Sequence, residues 1–256
     1  MKSKSPVPRE MARRGEEALK AQADPKKAEG AYRYFKAYDQ VRFYGVGSEA
    51  VRDLAAEVYE GVRRDWGLPE VLSHCEILLQ SPFHEAKGLG ILVLARYKKQ
   101  LTADFLETLH RWLSEDRLSS WALVDISCPE LLGALLEKDP GLAEALEPWA
   151  RSENRWVRRA SLVAFLQPAR RNKLHDAIFR MSARHFADRD DLIQKANGWL
   201  LREAGKVDEP RLERFLLQHG PAIPRTTLRY AIERFEESRR KAILERTRPP
   251  RAKGSA

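Results

Sequence analysis

Asn154-Arg155-Trp156-Val157-Arg158-Arg159-Ala160-Ser161 decides the fold once two other stretches are set beside it. Glu85-Ala86-Lys87-Gly88-Leu89 and Ile193-Gln194-Lys195-Ala196-Asn197 repeat the arrangement of Val157-Arg158-Arg159-Ala160-Ser161. Each puts a basic residue third, a small residue after it, and opens a helical run rich in Leu, Val or Ile. The basic residues lie 72 and then 36 residues apart, a period that suits one antiparallel helix pair. An unfilled period falls at position 123, inside Trp121–Asp125, and another near Arg229. The expected fold is therefore all-α: a HEAT-like, right-handed solenoid of about six helix pairs. In such a stack, residues one period apart stand side by side, so Lys87, Arg159 and Lys195 are expected as a basic stripe on a concave face. The alternative is that these residues only solvate exposed helix faces.

Helical periodicity extends outward from these stretches over Glu49–Arg64, Glu85–Lys98, Ala103–Leu113, Asp139–Ala150, Arg155–Leu166, Asp190–Ala204 and Arg225–Arg239. Asp139-Pro140 and Asp208-Glu209-Pro210 read as helix starts, and Gly205 and Gly220 as helix ends. Ser127-Cys128-Pro129-Glu130 reads as a capping box. That box would end a short preceding helix and leave Asp125 against the negative end of its dipole.

Composition bounds the function. Apolar residues make up 43% and charged residues 32% of the 256, which fits a globular chain and argues against wholesale disorder. No stretch reaches the roughly 18 uncharged apolar residues of a membrane span, and the N-terminus lacks the apolar core of a secretory signal. Cys75 and Cys128 are expected as buried reduced thiols, and the expected location is the bacterial-type cytoplasm, at the nucleoid when DNA is bound. The net charge of +9 sits at the ends: residues 1–30 carry +3, residues 224–256 carry +6, and the middle is neutral. The chain is thus divided into a basic N-terminal extension (1–30, partly helical or disordered), a central domain (31–236) and a basic tail (237–256).

Candidate chemistry is sparse. The sequence has no glycine-rich phosphate loop, no HExxH, no Cys-x-x-Cys and no metal-ligand spacing among its six histidines, so neither cofactor nor metal is expected. Trp121 and Asp125 remain, at the i, i+4 spacing that sets a ring and a carboxylate on one helix face. The bland alternative is that Asp125 pairs with a basic neighbour while Trp121 fills core. Trp199 follows Lys195 by four residues, beside Gly198, where another backbone or a ligand could come close. Trp66, Trp112, Trp149 and Trp156 read as core.

Tyr34-Phe35-Lys36, Trp121-Ala122-Leu123-Val124-Asp125, Asn154–Ala160 and Gln194–Glu203 together resemble the AlkD-like DNA alkylation repair glycosylases, a HEAT-repeat family, over about Tyr32 to Phe235. The resemblance implies that Trp121 and Asp125 cradle the lesion nucleotide, that Trp199 completes an aromatic cluster, and that Arg159 supports the DNA. By the same resemblance and the basic stripe, Lys195, Lys87, Tyr34 and Arg202 are expected to contact DNA. The implied activity is monofunctional DNA glycosylase: hydrolysis of the N-glycosidic bond of N3- or N7-alkylated purines in duplex DNA, by a monomer. Ser120 stands where some relatives carry a second tryptophan. A non-catalytic HEAT-repeat scaffold, or nucleic-acid binding by the tails alone, are the competing expectations.

Overall fold

The structure is a computed structural model and describes residues 6–35 and 41–248; Lys36 lies outside them. Among these residues the chain is all α-helical, with an isolated parallel bridge between Arg42 and Phe83. The helices gather into two compact units, Met1–Leu135 and Leu136–Ala256. This division differs from the one read in the sequence and falls within a single long helix.

The first unit contains α1 (Pro8–Ala21), α2 (Pro25–Ala31), α3 (Ser48–Val62), α4 (Leu68–Leu79), α5 (His84–Ala95), α6 (Phe105–Ser114) and the start of α7 (Trp121–Lys138). Helix α5 is its centre. The helix is apolar around most of its circumference, and α1, α3 and α4 all pack on it. The N-terminal stretch set apart in the sequence is part of this unit, because α1 buries Ala12, Gly15 and Leu19 against its neighbours. Asp24 then starts α2, accepting backbone hydrogen bonds from Lys26 and Lys27.

The second unit contains α8 (Leu142–Ala145), α9 (Arg155–Val163), α10 (Leu166–Arg170), α11 (His175–Arg184), α12 (Asp191–Gly205), α13 (Glu209–His219), α14 (Arg225–Ala231) and α15 (Glu237–Arg246). Helices α9, α12 and α14 pack in succession, and their first residues lie 36 and then 34 residues apart. The sequence period is the spacing of these stacked helices. Asn154, Asp190 and Asp208 cap α9, α12 and α13 through their side chains. Helix α15 buries Ile243 and packs on α13, so much of the C-terminal stretch is also folded.

Gly198 is what lets α14 approach α12. A β-carbon there would lie 2.4 Å from the Tyr230 Cβ and 2.6 Å from the Thr227 carbonyl oxygen, and neither atom is the end of a flexible side chain. The close approach anticipated at Gly198 is thus made by a backbone. Gly198→Ala is expected to cost about 1–3 kcal/mol by overpacking, read as a lower melting temperature in calorimetry. An unchanged melting temperature would contradict the packing of α12 on α14.

Several expected helices are shorter than their periodicity suggested, two of them markedly. Asp139–Ala150 forms only α8 and a 3-10 turn over Glu147–Arg151, because Pro148 withholds its N–H and restricts Glu147. Arg225–Arg239 breaks after Ala231, and the Glu236 side chain caps a new helix by accepting from the Ser238 N–H. Trp66, Trp112, Trp149 and Trp156 are buried, as are the free thiols of Cys75 and Cys128.

Candidate functional site

Ser120 starts α7: its Oγ accepts from the Leu123 N–H at 3.2 Å, and its carbonyl accepts from the Val124 N–H. Trp121 is therefore the first helical residue and Asp125 lies in the second turn of an 18-residue helix. This overturns the expected capping box at Ser127. Ser127 is fully buried and its Oγ donates back to the Val124 carbonyl, while the helix runs on through Pro129. The core supplies the reason. Cys128, Leu131 and Leu132 are all buried, and their packing outweighs the helical hydrogen bond lost at the proline. Asp125 consequently sits toward the positive end of the helix dipole, which favours an anion, and not the negative end. Pro129 has no N–H to offer the Asp125 carbonyl four residues earlier, so the helical ladder is interrupted at that residue.

The first two turns of α7 are amphipathic. Trp121, Ala122, Asp125 and Ile126 are partly exposed, whereas Leu123, Val124, Ser127 and Cys128 are buried. The spacing expectation thus holds: ring and carboxylate share the open face of one turn. The Trp121 indole is fixed from outside the helix. Its Nε1–H donates to the Tyr34 carbonyl at 3.2 Å, and the Phe35 ring stacks on it with centroids 5.5 Å apart and planes 20° from parallel. Phe35 also meets Phe43 and His84, and Phe43 in turn meets Tyr32. Tyr34 touches this cluster through its carbonyl, and its own side chain is exposed.

His84 Nε2 is buried without a hydrogen-bond partner. Desolvation, helped by the neighbouring Lys87 charge, lowers the His84 pKa to about 4, so the ring is neutral at pH 7. Beside it, Glu85 is buried and anchors the preceding loop. Its carboxylate accepts from the backbone N–H groups of Tyr44, Gly45 and Val46 at 3.1, 2.8 and 3.2 Å. Lys87 is half-buried and donates from Nζ to the Arg117 carbonyl at 2.7 Å, bracing α5 against the chain that leads into α7. Burial, and next to it the Arg117 charge, lower its pKa.

In the second unit, Arg159 is 95% buried and donates to the Leu192 carbonyl, tying α9 to α12. A side chain so placed braces the stack and is badly placed to hold phosphate. Lys195 is neighboured by Arg159 and Tyr230 and pairs with Asp191 at 2.7 Å, one turn back on α12. Arg202 pairs with Glu233. Trp199 is partly exposed, with the Arg170 guanidinium 5.9 Å from its ring centroid and Arg170 paired to Glu203 at 3.0 Å. The ring expected to face a cationic base thus already faces a cation of the protein. Lys87, Arg159 and Lys195 all have protein partners, so they are not a stripe of free charges.

The DNA alkylation repair enzyme family matches residues 16–235. The chain belongs to that family. In fold it is similar to a predicted DNA alkylation repair enzyme from Enterococcus faecalis, with a TM-score of 0.73 and 16% identity, over 84% of this chain and 97% of that one. No curated protein sequence matches it.

For this DNA alkylation repair family member, the sequence motifs include Tyr34 and Phe35 but give Phe35 no role, and they do not include Phe43 or His84. One signal could have found the rings: six aromatic residues fall between Tyr32 and Tyr44, a density no other stretch matches. Among the described residues of this family member, no group of three or more His, Cys, Asp or Glu is placed to hold a metal ion, and no helix is long and apolar enough to cross a membrane.

Proposed function

We propose that the protein is a monofunctional DNA glycosylase that releases N3- or N7-alkylated purines from duplex DNA. The observation that carries this reading is the open turn of α7, where Asp125 shares a face with an indole held by Phe35 and Tyr34. The chemistry suits these groups. An N3- or N7-alkylated purine is cationic, so when its C1′–N9 bond breaks the electron pair leaves with the base, which departs neutral and needs no general acid. The sugar becomes oxocarbenium-like, water adds to C1′, and a proton is lost. The Asp125 carboxylate stabilises the positive sugar and orients that water. Trp121 offers a π face to the positive base or sugar, about 0.5–2 kcal/mol depending on desolvation, which favours charged lesions over neutral purines.

Trp199, Lys195 and Arg202 are proposed as residues through which the second unit meets the duplex, their ion pairs with Asp191 and Glu233 exchanging for phosphate. Binding then weakens with salt. Arg159, being buried, is assigned to holding α9 on α12.

The deciding measurement is base release from N7-methylguanine duplex. Release well above the spontaneous rate is expected, leaving an abasic site and an intact strand. Duplex binding without release would leave a binding scaffold. Phe35→Ala is expected to lower the rate about two- to tenfold, because a stacked aromatic pair contributes roughly 0.5–1.5 kcal/mol to fixing Trp121. Full activity in Phe35→Ala would mean that Trp121 needs no such support.

A further inference from the structure

We propose that α15 and the end of α14 form a groove that grips one sugar–phosphate strand of duplex DNA through Arg229 and Arg240. The inference rests on the reading that the protein works on duplex DNA, and it extends that reading to a helix beyond residue 235, past the family-matched region. Glu237, Arg240, Lys241 and Leu244 stand at i, i+3, i+4 and i+7, on one face of α15. With Arg229, Ile232 and Glu233 they line a groove of about 340 Å³ that lies wholly within the second unit. Other residues hold α15 in place. Ile243 is buried, Arg239 pairs with Glu209 and Glu213 of α13, and Arg225 donates to the Leu244 carbonyl and the Thr247 hydroxyl at 3.3 and 3.2 Å.

The charge inventory of the groove selects an anion. Its two carboxylates are engaged: Glu237 pairs with Lys241 at 2.7 Å, and Glu233 pairs with Arg202 of α12. Arg229 and Arg240, by contrast, have no acidic partner among the described residues. Arg229 is exposed and stands 34 residues after Lys195, at the next position of the repeat. Burial, and next to it the charges of Arg229 and Arg248, lower the pKa of Arg225, so an anion brought to Arg229 relieves a standing repulsion. The apolar residues Ile232 and Leu244 select a strand over a free phosphate ion. Deoxyribose can pack on them while its phosphates lie against the cations. The groove also continues a surface already proposed to meet the duplex, since Arg202 is held by Glu233 at its edge. Lys195 and Arg202 must exchange one anion for another, whereas Arg229 and Arg240 only release counterions and therefore contribute more to binding.

The test is affinity for a short unmodified duplex, measured by fluorescence anisotropy across a salt series, with melting curves as the check on folding. Arg229→Gln/Arg240→Gln is expected to lower the log–log salt slope by about 1.8 and to weaken binding roughly 10- to 60-fold at about 0.1 M salt. Arg229→Lys/Arg240→Lys keeps both charges and should keep the slope. Lys20→Gln/Arg214→Gln removes the same charge from exposed positions of α1 and α13 outside the groove, and should bind as wild type does. An unchanged slope in the first variant would overturn the proposal. So would an equal loss in the Lys20/Arg214 variant, which would reduce the effect to net charge, or an equal loss in the double lysine variant. A wild type that binds no duplex would overturn it as well. Expected binding behaviour with no base released from N7-methylguanine duplex would instead overturn the glycosylase reading alone.

Discussion

Asp125→Asn is expected to slow release of N7-methylguanine by roughly 100- to 1,000-fold while leaving duplex affinity within about threefold of wild type. Asparagine keeps the size and shape of the side chain and removes only its charge. The ground-state lesion already carries its positive charge on the base, whereas the transition state spreads it onto the sugar. A carboxylate fixed beside C1′ therefore interacts more strongly with the transition state than with the bound substrate, and only such a difference accelerates the reaction. An electrostatic contribution of about 3–4 kcal/mol is ordinary for one fixed group and gives the stated factor. The fold should tolerate the change, because Asp125 is partly exposed and lies clear of the buried face of α7. Single-turnover release under saturating enzyme separates the chemical step from binding. Equal single-turnover rates for Asp125→Asn and wild type would remove this carboxylate from the mechanism.

Stability is expected to fall on mild acidification, by about 2 kcal/mol for each of two histidines between pH 7 and pH 5. His74 is fully buried on α4, beside the Trp66 ring, with neither ring nitrogen hydrogen-bonded, and desolvation lowers its pKa to about 4. His84 is lowered to about 4 by desolvation and then by Lys87. Both values lie below the ordinary 6.5, so between pH 6.5 and pH 4 the unfolded chain binds protons that the folded chain refuses. Stability is thus complete above pH 6.5 and is lost as pH falls toward 4, by on the order of 3 kcal/mol per histidine over the whole window. Against a typical total of about 5–15 kcal/mol this loss is large. Urea unfolding of wild type and His74→Leu at pH 7 and pH 5 checks it. The variant should lose about half as much stability as wild type, since leucine fills the site and cannot be protonated. Identical pH dependence in the two proteins would show that His74 is not held neutral by its surroundings.

The fold was legible because its signal is local and repeated. Helical spacing of apolar residues and the caps at Asn154, Asp190 and Asp208 act within a few residues, and the 36-residue period reappears as the stacking of α9 and α12. Where a local signal met a stronger tertiary one, the local signal lost. Ser127-Cys128-Pro129-Glu130 has the residues of a helix start, yet burial of Ser127 and Cys128 keeps α7 continuous through the proline. The α7 turn of the candidate site was visible for the same reason as the fold: Trp121 and Asp125 are one helical turn apart, and that distance is written in the spacing. The contacts of Phe35 with Trp121 and His84 were not visible, because 86 and 49 residues separate it from them and no spacing rule links a loop ring to two helix starts.

By itself, then, the sequence determined where most helices lie, the period of the stacked helices and the shared helix face of Trp121 and Asp125, which follow from interactions between near neighbours in the chain, while ordered motifs along the chain carried the family. Only the tertiary structure decided how each charge is used. Lys87, Arg159 and Lys195 look alike in the repeat, yet one braces a loop carbonyl, one is buried against Leu192 and one is paired with Asp191. Burial and partner choice depend on what the rest of the chain packs against a side chain, and that is settled by contacts far apart in sequence.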